Sequence, residues 1–269
     1  MKPIIDLNQI PQDARFIDAR FRHGDKDAAR NLFLKEHIPG ATFVDMESEL
    51  SGLKDGSNGR HPIPEVSDLE ILFSKLGIDK STHVIAYDDA DHAGAARLWM
   101  LLQWMGHEKV QVLNGGLKAW KEAGKILETG PSQSYKSKIF LQSRPLLNIL
   151  TKDQISDSLL VDARAPERYR GEIEHLDPYA GHIPGAKNLF YKTLLSEEGR
   201  FLPDSKLNEL FIFQDPVFYC GSGVTAAVLL IAATQVGKEA SIYAGSWSEW
   251  CQIPDAKIER NIKLDPMEK

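Results

Sequence analysis

The sequence predicts an α/β protein of two tandem domains, each with a mainly parallel central sheet flanked by helices. The first observation behind this is an internal repeat. Phe16-Ile-Asp18-Ala-Arg20 followed by His37-Ile-Pro39-Gly40-Ala41 recurs as Leu160-Val-Asp162-Ala-Arg164 followed by His182-Ile-Pro184-Gly185-Ala186, at nearly the same separation. The second is that the order of motifs continues in both halves. Val84-Ile-Ala-Tyr87 corresponds to Val217-Phe-Tyr219, and Asn114-Gly-Gly-Leu-Lys-Ala-Trp120 to Ala244-Gly-Ser-Trp-Ser-Glu-Trp250. The third is the alternation of short β-branched runs with helical stretches, the pattern of a parallel sheet whose functional loops leave the carboxyl ends of its strands.

Taken from the N terminus, the first half carries strands over Thr82–Tyr87 and Lys109–Leu113 and a helix over Ala93–Met105. Between its His-Ile-Pro-Gly-Ala turn and Val84 lie extra residues around Glu47 to Pro64. They include the loop Ser51-Gly-Leu-Lys-Asp-Gly-Ser-Asn-Gly59 and end in Arg60-His61-Pro62-Ile-Pro64. A loop of this length in a compact domain is more often functional than not, and it is placed to reach the cleft of the other domain. The polar, turn-rich run Thr129-Gly-Pro-Ser-Gln-Ser-Tyr-Lys-Ser-Lys138 reads as interdomain linker. The expected division is a first domain over 1–130, a linker over 131–145 and a second domain over 146–269, each domain of ordinary size.

The chemistry concentrates in Pro216-Val-Phe-Tyr-Cys220-Gly-Ser-Gly-Val-Thr225, which runs into the apolar stretch Ala226–Ala233. A strand, a glycine loop and a helix start put Cys220 where unpaired amides and the positive end of the helix dipole favour an anion. Such settings lower a cysteine pKa from about 8.5 toward roughly 3.5 to 7.5. A lone cysteine beside an apolar helix is more often an inert core residue; the surrounding repeat is what raises Cys220 above that. In the first half its counterpart is Asp88, which cannot act as a sulfur nucleophile, so that domain is expected to be catalytically silent. The second cysteine, Cys251 in Trp250-Cys-Gln-Ile-Pro254, has no glycine loop and reads as a packing residue, with a resolving thiol as the alternative.

Composition excludes several classes. A net charge of −6 without long blocks of like charge argues against nucleic acid or an anionic membrane as main partner. Two cysteines outside any metal-ligand spacing argue against structural zinc, and no cofactor is signalled. The N-terminal residues lack a sustained apolar segment, so a soluble cytoplasmic protein is expected.

Together these motifs resemble the tandem-domain rhodanese-like sulfurtransferases over nearly the whole chain, and the Cys220-Gly-Ser-Gly-Val-Thr225 loop looks like that of the 3-mercaptopyruvate enzymes. The resemblance implies a Cys220 thiolate that takes sulfur from 3-mercaptopyruvate as a persulfide. The thiolate then hands the sulfur to cyanide, a thiol or a thioredoxin-like protein. It also implies that the amides of the loop, Gly221, Gly223, Val224 and Thr225 included, cradle the sulfur anion. Arg168, in Ala165-Pro-Glu-Arg-Tyr-Arg170, would bind the donor's carboxylate, and Ser222, His61 and Glu47 would form a proton relay with Asp45 as rival for the acid. His37, His182, Arg20 and Arg164 recur in both halves, the silent one included, and are read as fold-shaping, each arginine pairing with an internal carboxylate. One departure stands out: many mercaptopyruvate enzymes carry a second arginine where Glu174-His-Leu-Asp-Pro-Tyr179 offers only His175.

Two rival enzymes and one non-enzymatic role stay open. A thiosulfate:cyanide sulfurtransferase would profit from basic residues after the cysteine, and the loop has none. Dual-specificity cysteine phosphatases need an arginine at the sixth position after the cysteine, which here is Ala226. A persulfide carrier without turnover of a small donor is the third.

Overall fold

The computed structural model describes residues 1–261 apart from 26, 90 and 133, so the last eight residues assigned to the second domain and one linker position lie outside the described residues. Two sheets form. In the first half β1 (Ile4–Ile5), β2 (Arg15–Asp18), β3 (Thr42–Phe43), β4 (Val84–Tyr87) and β5 (Val110–Leu113) lie in the order β1-β5-β4-β2-β3. In the second half β6 (Asn148–Leu150), β7 (Leu160–Asp162), β8 (Lys187–Asn188), β9 (Val217–Tyr219) and β10 (Ser241–Tyr243) repeat that order as β6-β10-β9-β7-β8. Every pairing within the two sheets is parallel. The expected α/β architecture of paired parallel sheets is therefore observed.

The helices are α1 (Ala28–Lys35), α2 (Val66–Lys75), α3 (Ala93–Trp104) and α4 (Gly116–Glu122) in the first half, and α5 (Pro166–Arg170), α6 (Asp204–Leu210), α7 (Ala226–Gln235) and α8 (Ser246–Trp250) in the second. Strands covered on both faces need continuous apolar runs, and Val84-Ile-Ala-Tyr87 is buried at all four positions. Helix α7 is apolar all round because all of it from Ala226 to Ala233 is buried. It packs against α3 of the other half, so one apolar cluster runs through both sheets and smaller clusters lie under each. This shared core fixes the two sets of strand ends against each other.

The repeated motifs are structural devices. Asp18 and Arg20 form a buried pair at 2.7 Å, and Asp162 and Arg164 form another at 2.7 Å. Each arginine also donates to a main-chain oxygen, that of Glu36 or Gly181. His37 stacks on Phe33, and its Nδ1 lies 2.9 Å from the Phe33 carbonyl; His182 stacks on Tyr169, its Nδ1 2.6 Å from that residue's carbonyl. The fold-shaping roles read from the repetition thus have contacts behind them. The linker is no loose tether: Lys138, Phe140 and Ser143 donate their amides to Ser74 and Met105, and Tyr135 lies over the Arg15 guanidinium.

Candidate active site

Cys220 follows β9 and Arg168 follows β7, adjacent strands that send their connections in opposite directions, which is where an open parallel sheet leaves a crevice. The corresponding strand ends of the first half, after β2 and β4, close the other side. Between them lies a cavity of about 420 Å³ lined by Cys220, Ser222, Arg168, His61, Arg60 and Asp88 among others.

Cys220 is buried, and its Sγ accepts the Gly223 amide at 3.2 Å. Burial alone would push the thiol up. The Thr225 hydroxyl and the Ser222 and Ala226 amides outweigh it, so the pKa falls below that of an ordinary cysteine. Of the loop residues read as a cradle, Gly223 and Thr225 therefore act on the sulfur directly. Val224 lines the cavity wall, and Gly221 forms its floor. The glycine motif before α8 explains itself here: the Trp247 and Ser248 amides donate to the carbonyls of Cys220 and Gly221 at 3.0 and 2.8 Å, and Ser246 Oγ accepts the Cys220 amide at 3.1 Å. In the first half Leu117 does the same to Asp88 at 2.7 Å. There the Asp88 side chain accepts the amides of His92 and Ala95 at 3.1 and 3.2 Å, standing where the other domain keeps a sulfur.

The long loop of the first half reaches into the second. His61 Nδ1 lies 2.7 Å from Ser222 Oγ, and its Nε2 lies 2.9 Å from Glu47 Oε1. Burial pulls the His61 pKa down to about 4 despite the Glu47 hydrogen bond. A neutral ring facing a carboxylate donates from Nε2, so Nδ1 accepts the Ser222 hydroxyl proton. Glu47 is itself partly desolvated, yet its bonds from Lys54 and His61 hold it below the usual carboxylate range. Asp45 is turned away, accepting from the amide and hydroxyl of Ser48 at 2.8 and 2.7 Å.

Arg60 is the residue that the sequence reading passed over. It brings a second arginine to the cavity, from the first domain. A methyl group on Gly221 would lie 2.8 Å from Arg60 Nη2 and 3.5 Å from Arg168 Nη1, so both guanidinium groups converge over the floor of the cavity. Buried carboxylates anchor them from behind: Asp177 pairs with Arg60, and Glu174 binds Arg168 at 2.8 Å. His175 is exposed and does not line the cavity. The signal for Arg60 was its position directly before His61. Cys251 is buried beside Trp247 at the far side of the second sheet, and burial pushes its thiol up.

The interface carries a pH dependence of stability. His92, from the loop before α3, stacks on Phe201 and its Nε2 donates to the Gly199 carbonyl at 2.8 Å; burial pulls its pKa down to about 4, as for His61. Both rings are protonated more readily in the unfolded chain, so the stability they supply is complete above about 6.5 and is lost as the pH falls toward 4. The loss is on the order of 3 kcal/mol per ring at most, with roughly 2 to 4 °C of Tm per kcal/mol. Thermal melts across that window are expected to show a steep fall, and a level Tm would contradict it.

Models of the Rhodanese-like domain match residues 5–123 and 146–253. A Mycobacterium tuberculosis protein provisionally named thiosulfate sulfurtransferase SseB is 38% identical over 264 residues, covering 94% of this chain and 93% of the relative. A Pseudomonas aeruginosa protein provisionally named 3-mercaptopyruvate sulfurtransferase is 40% identical over 259 residues, covering 90% of each chain. Among solved structures, 3-mercaptopyruvate sulfurtransferase from Leishmania major superposes with a TM-score of 0.84 at 29% identity, covering 93% of this chain and 74% of the other. With two such domains and relatives of this extent, the chain belongs to the rhodanese-like family.

Proposed function

We propose that the protein is a sulfurtransferase that takes sulfur from 3-mercaptopyruvate through a persulfide on Cys220. The reading rests most on the hydrogen-bonded chain Ser222, His61 and Glu47, at 2.7 and 2.9 Å, beside a buried cysteine whose sulfur is already held by amides. The Cys220 thiolate attacks the donor's sulfur. The S–S bond forms as the C–S bond breaks, and that electron pair passes into the enolate of pyruvate. The proton released from the donor's thiol reaches Ser222 as Ser222 gives its own to His61, and the same path returns it to the enolate. Glu47 supports the transient imidazolium. Arg60 and Arg168 bind the carboxylate of the donor as planar forks of donors. An acceptor then attacks the outer sulfur, the S–S bond breaks, and its electron pair returns to Cys220. Cyanide leaves as thiocyanate, and a small thiol or a thioredoxin-like protein would leave as a persulfide. Asp88 makes the first domain catalytically silent, its contribution being Glu47, Arg60 and His61.

Thiosulfate is the second reading, favoured by the two arginines over the cavity floor, which suit a dianion, and by the provisional name of the mycobacterial relative. The relay separates the two, since thiosulfate releases sulfite and needs no enolate protonated. With 3-mercaptopyruvate alone, the Cys220 peptide is expected to gain one sulfur as pyruvate appears. Ser222→Ala and His61→Ala should slow that step about a hundredfold while slowing thiosulfate less than about threefold. Equal losses with both donors would remove the relay from the mechanism, and no sulfur on Cys220 would remove the function.

A further inference from the structure

Arg97, on α3 of the first domain, is fully buried, and the partners of its guanidinium among the described residues are main-chain oxygens of both domains. Its Nε and Nη2 donate to the Leu50 carbonyl at 3.2 and 3.1 Å. Nη2 also donates to His61 and Pro62 at 2.9 and 3.0 Å, and Nη1 to Gly223 at 3.3 Å. The other deeply buried arginines, Arg20 and Arg164, each sit on an aspartate. Arg97 breaks that pattern, having no carboxylate within ion-pair distance among the described residues. A buried cation without a counter-ion is costly. Burial lowers its pKa to about 10, the Cys220 anion opposing the fall, so it stays charged at neutral pH.

The other charged or titratable groups around the sulfur have partners of their own. Asp162 at the end of β7 is held by Arg164, and the hydroxyl of Tyr191, which follows β8, is bonded to Asp91. Arg168 rests on Glu174, Arg60 rests on Asp177 while also feeling the Cys220 charge from the open side of the cavity, Asp88 accepts helix amides, and His61 is neutral. Cys220 is left as the anion for Arg97.

We propose that Arg97 is a positioning residue for sulfur transfer, its buried charge the counter-ion of the Cys220 thiolate and persulfide, its fork of donors holding the cysteine loop in register with the relay loop of the other domain. This rests on the reading of Cys220 as the sulfur carrier. An anion occupies that place before and after each transfer, as thiolate or as persulfide, so the charge of Arg97 stays compensated through the cycle. The donor to Gly223 grips the residue whose amide faces the sulfur, and the donor to His61 grips the relay ring's own backbone.

The test is the titration of Cys220 followed by thiolate absorbance in the ultraviolet, with the same protein carrying Cys220→Ser as blank. It needs no sulfur donor. Arg97→Gln removes the charge, and its midpoint is expected to rise by about one pH unit or more. Arg97→Lys keeps the charge and loses the fork. Its midpoint should stay within about half a unit of the parent, while kcat with 3-mercaptopyruvate falls roughly tenfold or more in both variants. An unmoved midpoint in folded Arg97→Gln would overturn the proposal, as would equal rises in both variants. Should Arg97→Gln fail to fold, the guanidinium nitrogen resonance of Arg97 in the unmutated protein, identified by its loss in Arg97→Lys, decides. It should shift with the thiol's titration and stay level in Cys220→Ser, and a level trace in the unmutated protein overturns the proposal. A Cys220 that titrates as expected in a protein that transfers no sulfur would sink the functional reading and the part Arg97 plays in transfer, and would leave only its pairing with the thiolate standing.

Discussion

Cys220→Ser is expected to lose sulfur transfer from every donor, by on the order of 10⁴-fold or more, because a hydroxyl at this position remains protonated and forms no stable bond to the transferred sulfur. The substitution is nearly isosteric in a loop held by Trp247, Ser248 and Ser246, so the fold should survive. Its effect on stability has a sign of its own. The thiol's pKa lies below the ordinary value in the folded protein, so the unmutated protein gains stability over the variant as pH rises from that lowered pKa toward 9.0. Melts of the two proteins should diverge with rising pH, and parallel curves would mean that the amides and the Thr225 hydroxyl do not favour the anion.

Gly223→Ala is expected to damage stability and chemistry together. Gly223 has φ of 75°, in the left-handed region, and a Cβ there would lie 2.2 Å from the Ala244 carbonyl oxygen. The conformational cost for an L-residue is about 1 to 2 kcal/mol, and the clash with a fixed main-chain oxygen adds to it, for a total on the order of 3 kcal/mol. Any shift that relieves the clash carries the Gly223 amide away from the sulfur 3.2 Å from it. The thiol should then titrate higher and kcat with 3-mercaptopyruvate should drop by roughly a hundredfold. A variant with the parent's Tm and thiol midpoint would show that the loop tolerates a side chain where this packing forbids one.

The architecture was legible because it is written twice. Asp18-Ala-Arg20 and Asp162-Ala-Arg164 form the same buried pair, and the two strand orders are the same. The relay residues could be named because histidine before proline and serine after the cysteine are local marks. Their meeting across 161 positions of chain was available only through the resemblance. Arg60 escaped because the search for a second arginine stayed near Arg168 in sequence, whereas the cavity has walls from both domains. Arg97 gave no signal, since an arginine in the helical run Ala93-Gly-Ala-Ala-Arg-Leu-Trp99 looks like a solvated position. It is buried because the 50–62 loop and the cysteine loop of the other domain close over its guanidinium, contacts that join distant parts of the chain. Asp88 was read as a lost nucleophile, and the structure adds that its carboxylate satisfies the amides at the start of α3.

The most direct test of the central claim is steady-state sulfur transfer to cyanide, followed as thiocyanate, with 3-mercaptopyruvate and thiosulfate compared side by side and Cys220→Ser as blank. The account predicts a kcat/KM at least about tenfold higher for 3-mercaptopyruvate, roughly 1.4 kcal/mol of transition-state preference. The reverse ratio would contradict it, and would mean that the arginines over the cavity floor, with the relay idle, make this protein a thiosulfate sulfurtransferase.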